Sequence, residues 1–215
     1  MSDHVLILRT CDADMTSRGG FRWPESGPVE APDWNHEPTC GGGLHGFLWG
    51  EGNGGLASWD DDARWLVVRV LAADVVDLGD KVKFPRGDVV FIGDRKAATD
   101  YIIEHGARGP VIGCLRVGGY GSTVTGGYGS TVTGGDDSTV TGGDCSTVTG
   151  GYGSTVTGGY DSTVTGGDYS TLSVKWWDGS RHRIAVAYVS EDGIEANVPY
   201  RVNAGKFERA DGSAK

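Results

Sequence analysis

One short segment of this chain concentrates side chains that could carry out chemistry: His36, Cys40 and His45, with Cys11 further upstream. Neutral imidazole and thiolate groups are ligands that zinc prefers, and three or four of them would hold one ion. Alternatively, a Cys40 thiolate with His45 as its base would make a nucleophile. The spacing matches no standard zinc finger, and no third residue that orients the base can be named. We therefore favour a buried free cysteine and a hydrogen-bonded core histidine, with no metal, no cofactor and no catalytic residue.

Tryptophans lie close to this segment in sequence and could line a pocket or fill a core. Cys40, His45, Trp49 and Trp59 together mark the best candidate for a pocket in the chain. Two glycine-rich runs nearby lack the lysine and the strand–helix context of a phosphate-binding loop. These residues predict where a pocket lies, but they do not indicate which ligand it would bind.

The segment belongs to an N-terminal part, residues 1–116, that we predict to be an α+β domain. Asp94 is a good N-cap for a helix that runs to His105, and Gly106 would end it. The stretch from Phe21 to Gly55 has little periodicity and is long for a loop, which suggests either a functional segment or a fold that the pattern does not reveal. Runs of apolar residues between turn signals predict the strands, which are Val5–Leu8, Trp65–Leu71, Ala73–Leu78, Lys81–Phe84, Val89–Ile92 and Val111–Val117.

Residues 117–173 carry an octapeptide, Gly-Gly-x-x-Ser-Thr-Val-Thr, that repeats seven times, the last copy being degenerate. A short strict period predicts a β-solenoid, in which Gly-Gly-x-x makes turns and Ser-Thr-Val-Thr makes strands. Because side chains alternate along a strand, Val124 and Ser122 should point inward. The threonines on either side of each valine should form an outward ladder face: Thr123, Thr125, Thr131, Thr133, Thr139, Thr141, Thr147, Thr149, Thr155, Thr157, Thr163 and Thr165.

The variable positions predict how many octads make one turn of the solenoid. The third octad position runs Tyr120, Tyr128, Asp136, Asp144, Tyr152, Tyr160, Asp168. With one octad per turn, Asp136 would stack on Asp144 at a spacing of about 4.8 Å, which like charges disfavour. Two octads per turn avoid this contact, so we predict a coil of sixteen residues with two sheets.

The C-terminal part, residues 174–215, reads as a β-meander that caps the solenoid. Leu172–Trp177 and Arg183–Val189 should form a hairpin around Asp178-Gly179, and Ile194–Val202 should follow a second turn. A cap is needed because an open rung is an exposed edge strand.

The octads, such as Gly119-Tyr120-Gly121-Ser122-Thr123-Val124-Thr125, resemble the paired octads of bacterial ice-nucleation proteins over about a quarter of the chain. They are also similar, less specifically, to head repeats of trimeric adhesins. The first resemblance implies a β-solenoid whose outward Thr-x-Thr rows order water. The N-terminal Gly19–Pro24 and Cys40–Gly46 motifs resemble an uncharacterised domain family of bacterial and phage proteins that precedes tandem Gly/Ser/Thr repeats.

Composition limits the classes of function. The chain has 215 residues and a formal net charge of −10, and an acidic chain without a basic stripe makes direct nucleic-acid binding unexpected. No membrane span, secretory signal or disulfide framework is visible, which predicts a cytoplasmic protein, with a phage particle as the alternative.

We predict a non-catalytic structural or interaction protein of phage origin, built around the solenoid, with no known ligand. Exposed aromatic residues favour interfaces, so a homodimer through the tyrosine edge of the solenoid (Tyr120/Tyr152 or Tyr128/Tyr160) is its expected partner. One alternative is binding of ice or ordered water by the Thr-x-Thr ladders. The other is an enzyme in the N-terminal domain, with the solenoid as a spacer.

Overall fold

The computed structural model describes residues 4–210, and the chain separates into two compact units on either side of the Val111–Ile112 bond. The first unit is one antiparallel sheet with one α-helix, α1 (Arg95–Glu104), which confirms the α+β prediction. Its strand order is β2-β7-β4-β1-β3-β6-β5. The strands are β1 (His4–Cys11), β2 (Gly27–Glu30), β3 (Leu44–Leu48), β4 (Arg64–Leu71), β5 (Val76–Asp77), β6 (Val82–Phe84) and β7 (Arg86–Gly93).

Strand β4, which lies between β7 and β1 inside the sheet, is buried on both faces. Leu66 and Val68 pack with Trp23, and the neighbouring Val67, which points the other way, is also fully buried. The opposite face is covered by α1, which contacts β4, β7 and β1. The helix starts where predicted, since the Asp94 carboxylate accepts a hydrogen bond from the Ala97 N–H at 2.8 Å.

The stretch from Phe21 to Gly55, which has no periodic pattern, contains β2 and β3. Gly46 interrupts the apolar pattern of β3, and it must be glycine: a Cβ there would lie 2.7 Å from the Leu8 carbonyl oxygen of β1. The predicted strand Ala73–Leu78 is shorter than expected. It begins as a 3-10 turn over Ala72–Asp74, and only β5 pairs with β6.

The second unit is a β-solenoid of two parallel sheets, and its coil has the predicted sixteen residues. One sheet stacks alternate octads in the order β14-β12-β10-β8, and the other in the order β15-β13-β11-β9. The strands are β8 (Leu115–Val117), β9 (Thr123–Thr125), β10 (Thr131–Thr133), β11 (Thr139–Thr141), β12 (Thr147–Thr149), β13 (Thr155–Gly158), β14 (Thr163–Thr165) and β15 (Thr171–Trp177).

The inside of the solenoid is a column of valines beside a column of serines, as predicted. Val132 and Val140 are fully buried, and Val140 pairs in register with Val124 and Val156. The serines are buried as well, and each polar group has a partner. The Ser138 Oγ, for example, accepts a hydrogen bond from the Ser122 N–H and donates to the Gly119 carbonyl at 3.1 Å. This pairing makes the burial of the serine hydroxyls inexpensive.

The solenoid begins one half-coil before the first recognisable octad. The predicted strand Val111–Val117 is wrong over its first half, because Gly113 has a φ of +65° and donates its N–H to the Tyr128 carbonyl. Cys114 occupies a serine position, with its Sγ 3.5 Å from the Ser130 Oγ. Leu115–Val117 then pairs with Thr131–Thr133 in the place of a Thr-Val-Thr strand.

The C-terminal cap consists of two hairpins that are divided between the two sheets. β15 continues into β16 (His182–Tyr188), which ends the five-stranded sheet. The hairpin of β17 (Tyr200–Asn203) and β18 (Lys206–Arg209) ends the six-stranded sheet. The predicted strand Ile194–Val202 is wrong before Tyr200, because that stretch turns and its Asn197 has a φ of +60°.

We expect Val140→Asp to destabilise the second unit by about 3 kcal/mol or more, because an unpaired carboxylate would replace a fully buried side chain. The matched control is Thr139→Asp, whose side chain points to solvent from the same strand and should cost about 1 kcal/mol or less. Urea unfolding followed by circular dichroism measures both. Equal losses of stability in the two variants would contradict the observed side-chain facing.

Candidate functional site

Cys40 and His45 lie on the same side of the first unit, where positive side chains surround them. Cys40 is exposed rather than buried, and its Sγ accepts a hydrogen bond from the Lys81 ammonium at 3.3 Å. His45 is half-buried in β3, with its Nε2 3.5 Å from the Gly41 N–H. Burial lowers the pKa of His45 to about 4, and the charges of nearby Lys81 and Arg9 act in the same direction. The His45 side chain is therefore neutral at pH 7.

The other candidate ligands point elsewhere. Cys11 is buried, with its Sγ 4.0 Å from the Met15 sulfur, and burial raises the pKa of its thiol to about 11. His36 is exposed and packs edge-on against Trp34. Within residues 4–210, no three His, Cys, Asp or Glu side chains come close enough together to hold a metal ion. Zinc binding by this segment therefore has no geometric support.

The two tryptophans of the predicted pocket lie at opposite ends of α1. The Trp59 ring stacks under the Arg95 guanidinium, 5.6 Å from its centroid, at the first residue of the helix. The Trp49 ring lies against Gly106, just after the last residue. The structure thus keeps Cys40 and His45 on one side of the unit and places Trp59 and Trp49 at the two ends of the helix.

Lys83 is the residue in this region that sequence reasoning missed. It is fully buried in β6, opposite His45, and its ammonium donates to the Asn35 side-chain oxygen and to the Gly41 carbonyl, each at 3.2 Å. The same ammonium lies 5.5 Å from the centre of the Trp34 ring. These contacts hold the loop over residues 33–43 against the sheet, so the role of Lys83 is structural. A lysine between Val82 and Phe84 in an apolar strand was the available signal.

The threonine ladders are the most regular surface of the second unit. On the five-stranded sheet, Thr123, Thr139, Thr155 and Thr171 stack in register, beside a second row that ends in Ser173. Neighbouring rungs are about 4.8 Å apart, and the two rows are roughly 7 Å apart. In β9, β11 and β13 the first threonine is more exposed than the second. The result is a flat, uncharged grid of hydroxyl and methyl groups.

The turns between the sheets form two edges, and the alternation of tyrosine and aspartate predicted for them is present. The Asp136 carboxylate accepts a hydrogen bond from the Tyr152 N–H at 2.8 Å, so this aspartate supports the turn above it. The same bond joins Asp144 to Tyr160 on the second edge. On the first edge Tyr120 is 79% exposed and Tyr152 is 51% exposed.

Comparison with known proteins matches one domain family and a group of relatives. Residues 5–103 match the model of a domain of unknown function (DUF7666), which is under half of the chain. An ice nucleation protein of Pseudomonas syringae is 43% identical over 102 residues, covering 46% of this chain and 9% of that protein. For an ice nucleation protein of Xanthomonas campestris pv. translucens the identity is 41% over 102 residues, covering 46% of this chain and 6% of that protein. Ice nucleation protein InaU of Pantoea ananas is 39% identical over 107 residues, which cover 49% of this chain and 10% of that protein.

These matches confirm the resemblances that the octads and the N-terminal motifs predicted. They cover about a tenth or less of the length of the ice nucleation proteins compared here. No solved structure matches the chain. Among the described residues, no helix has the length and apolar character needed to cross a bilayer.

We expect His45 to make the first unit less stable as the pH falls from about 6.5 to 4. In the folded unit His45 stays neutral to a pH of about 4, whereas the unfolded side chain takes up a proton near pH 6.5. Because the unfolded state then binds more protons, the free energy of unfolding decreases over this window.

The measurement is urea unfolding followed by tryptophan fluorescence at several pH values between 7 and 4. His45→Gln cannot take up a proton, so it should lose less stability over this range than the wild type. The exposed His36→Gln is the matched control for removing an imidazole. Parallel curves for wild type and His45→Gln would contradict the effect.

Proposed function

We propose that the second unit binds ice, or the ordered water at an ice surface, through the threonine rows of its five-stranded sheet. The observation that carries the proposal is the register: Thr139 lies directly between Thr123 and Thr155, and the second row repeats the same spacing. Hydroxyl groups at about 4.8 Å by roughly 7 Å form a grid on the scale of the oxygen repeats of ice. The similarity to ice nucleation proteins supports the same function.

The two sheets differ in how well they suit this function. The rows of the six-stranded sheet begin with Leu115 and Val117, and Thr163 at the other end accepts a hydrogen bond from the Arg201 guanidinium at 2.9 Å. The rows of the five-stranded sheet carry hydroxyl groups on four successive rungs, ending at Thr171 and Ser173. The longer uncharged ladder favours the five-stranded sheet.

The size of the grid limits what it can do with ice. Four rungs span only about 14 Å, because adjacent strands are about 4.8 Å apart. A patch this small can hold few ordered water molecules, so we expect adsorption to existing crystals and negligible nucleation. Residence in the cytoplasm, an origin in phage and an activity of the N-terminal unit stay predictions.

Replacing Thr139 and Thr155 together by tyrosine should abolish the shaping of ice crystals by the purified protein, since bulky rings would break the flat grid. Tyrosine is well tolerated in strands, so the fold should be kept. The matched control is Thr131→Tyr with Thr147→Tyr on the six-stranded sheet, which should shape crystals as the wild type does. A wild type without any effect on growing crystals, or equal activity in all three proteins, would overturn the proposal.

A structural or interaction role is the second candidate, and the tyrosine edge supports it. We propose that two copies associate through the edge that carries Tyr120 and Tyr152. Tyr120 is exposed, and Tyr152 packs edge-on against Tyr169, which is exposed as well. On the second edge Tyr160 packs edge-on against His182, and Asp144 forms an ion pair with Lys175 at 2.9 Å. Exposed aromatic residues are enriched at interfaces, so the first edge is the better surface.

Sedimentation velocity at micromolar concentration tests this association. Replacing Tyr120 and Tyr152 by serine should weaken the dimer at least about tenfold, as expected when central aromatic residues of an interface are removed. Tyr160→Ser on the second edge is the matched control and should leave the dimer intact. Unchanged sedimentation of the Tyr120 and Tyr152 double variant would show that the first edge is not an interface.

A further inference from the structure

The strand β16 is the last strand of the five-stranded sheet in the part of the chain that the structure describes, and its outer face is apolar. Ile184 is 71% exposed, Val186 53% and Tyr188 56%. Natural edge strands are usually protected by lysine, proline, a bulge or a covering segment. The sequence from Ile184 to Tyr188 is Ile-Ala-Val-Ala-Tyr, which contains no such charged residue or proline.

The hydrogen bonds of the hairpin show which backbone groups face the open edge. The Val189 N–H donates to the Ser170 carbonyl, and the Asp178 N–H donates to the Arg181 carbonyl, at the two ends of the β15–β16 pairing. In an antiparallel pair the backbone groups of successive residues point alternately toward and away from the partner. The N–H and C=O groups of Ile184 and Val186 therefore point away from β15, as does the Tyr188 N–H. The Tyr188 C=O accepts a hydrogen bond from the Glu191 N–H at 3.2 Å.

We propose that β16 pairs antiparallel with β16 of a second copy of this chain, with Val186 on the two-fold axis. Ile184 of each copy then lies opposite Tyr188 of the other, so that the apolar side chains cover one another and the free backbone groups of both strands are bonded. An antiparallel pairing of identical strands is isologous by construction. The two five-stranded sheets become one continuous sheet.

The charges at the ends of the strand favour a second copy over an unrelated peptide. Arg181 precedes β16 and Glu191 follows it, and both side chains are exposed. β16 ends at Tyr188 and the chain turns at Ser190, so Glu191 lies in the turn that follows the strand. The antiparallel pairing centred on Val186 brings the end of one copy that carries Arg181 beside the end of the other that carries Glu191. Opposite charges placed in this way set the register and the direction of the pairing.

This interface is separate from the tyrosine edge and does not require that the protein bind ice. Because the two-fold axis is perpendicular to the sheet, the outward faces of the two copies point to the same side. If the threonine rows do bind ice, the pairing doubles the number of rungs in one plane. The association itself is measured without ice.

The decisive variant is Val186→Pro in the full chain, studied by sedimentation velocity. Proline lacks the N–H that would pair with the second copy, yet this N–H does not take part in the β15–β16 ladder, so the hairpin should stay folded. We expect dimerisation at least about tenfold weaker than in wild type. Val186→Thr keeps the backbone donor and the β-branched shape, and should dimerise as the wild type does.

Further variants keep the proposal testable if Val186→Pro perturbs the fold. Val186→Lys places a charge on the two-fold axis and should also abolish the pairing through β16, with an unchanged circular dichroism spectrum. Arg181→Glu should weaken the dimer, and Arg181→Glu combined with Glu191→Arg should restore it. A wild type that is monomeric at tens of micromolar, or a dimer that survives both Val186 variants and dissociates only when the tyrosine edge is changed, overturns the proposal.

Discussion

The stacking of each octad on the octad sixteen residues later is the interaction on which the second unit depends. It brings backbones so close that the glycines become obligatory: a Cβ on Gly135 would lie 2.7 Å from the Gly119 carbonyl carbon of the rung next to it. The first glycine of the octad is confined from inside, where a Cβ on Gly126 would lie 2.6 Å from a methyl group of Val132. Close stacking thus requires the Gly-Gly pair.

The same stacking explains which octad positions are free to vary. The fourth position is left-handed, with φ between 55° and 60° at Asp137, Cys145 and Tyr169, and it faces solvent at the turn. Aspartate tolerates this conformation well, whereas cysteine and tyrosine pay a small conformational cost there. That cost is acceptable because the hydrogen bonds of the rungs on either side hold the turn in place. The tyrosines and aspartates that could recognise a partner are therefore collected on the two edges by the geometry of the coil.

Sequence alone predicted the solenoid closely because its constraints are local and repeated. The sixteen-residue coil followed from the alternation of Tyr120 and Asp136, and the inward valines followed from the two-residue period of a strand. The half-coil at Cys114–Val117 was not predicted, because none of its residues is identical to the residue at the equivalent octad position. These residues take the place of an octad strand only through their pairing with Thr131–Thr133.

In the first unit the limits of prediction have a different physical origin. The helix after Asp94 and the long strand at Trp65 carry local signals, namely a cap and an apolar run, and both were predicted. β2 and β3 depend on pairing with strands far away in sequence, so their own residues say little. The candidate site shows the same limit. The place of Cys40 depends on a loop that Lys83 fastens, and a buried lysine is hard to foresee.

The last strands of the two sheets differ in how well their open edges are protected against pairing with another strand. This difference connects the threonine face of the solenoid with the proposed pairing of two copies. The six-stranded sheet ends in a hairpin whose outer side chains include Arg201, Lys206 and Glu208, charges that oppose further pairing. The five-stranded sheet ends in the apolar strand β16. It is also the sheet with the longer uninterrupted threonine ladder. Pairing at the open edge of the five-stranded sheet enlarges the face that carries the threonine ladder. Pairing at the edge of the six-stranded sheet would not enlarge this face.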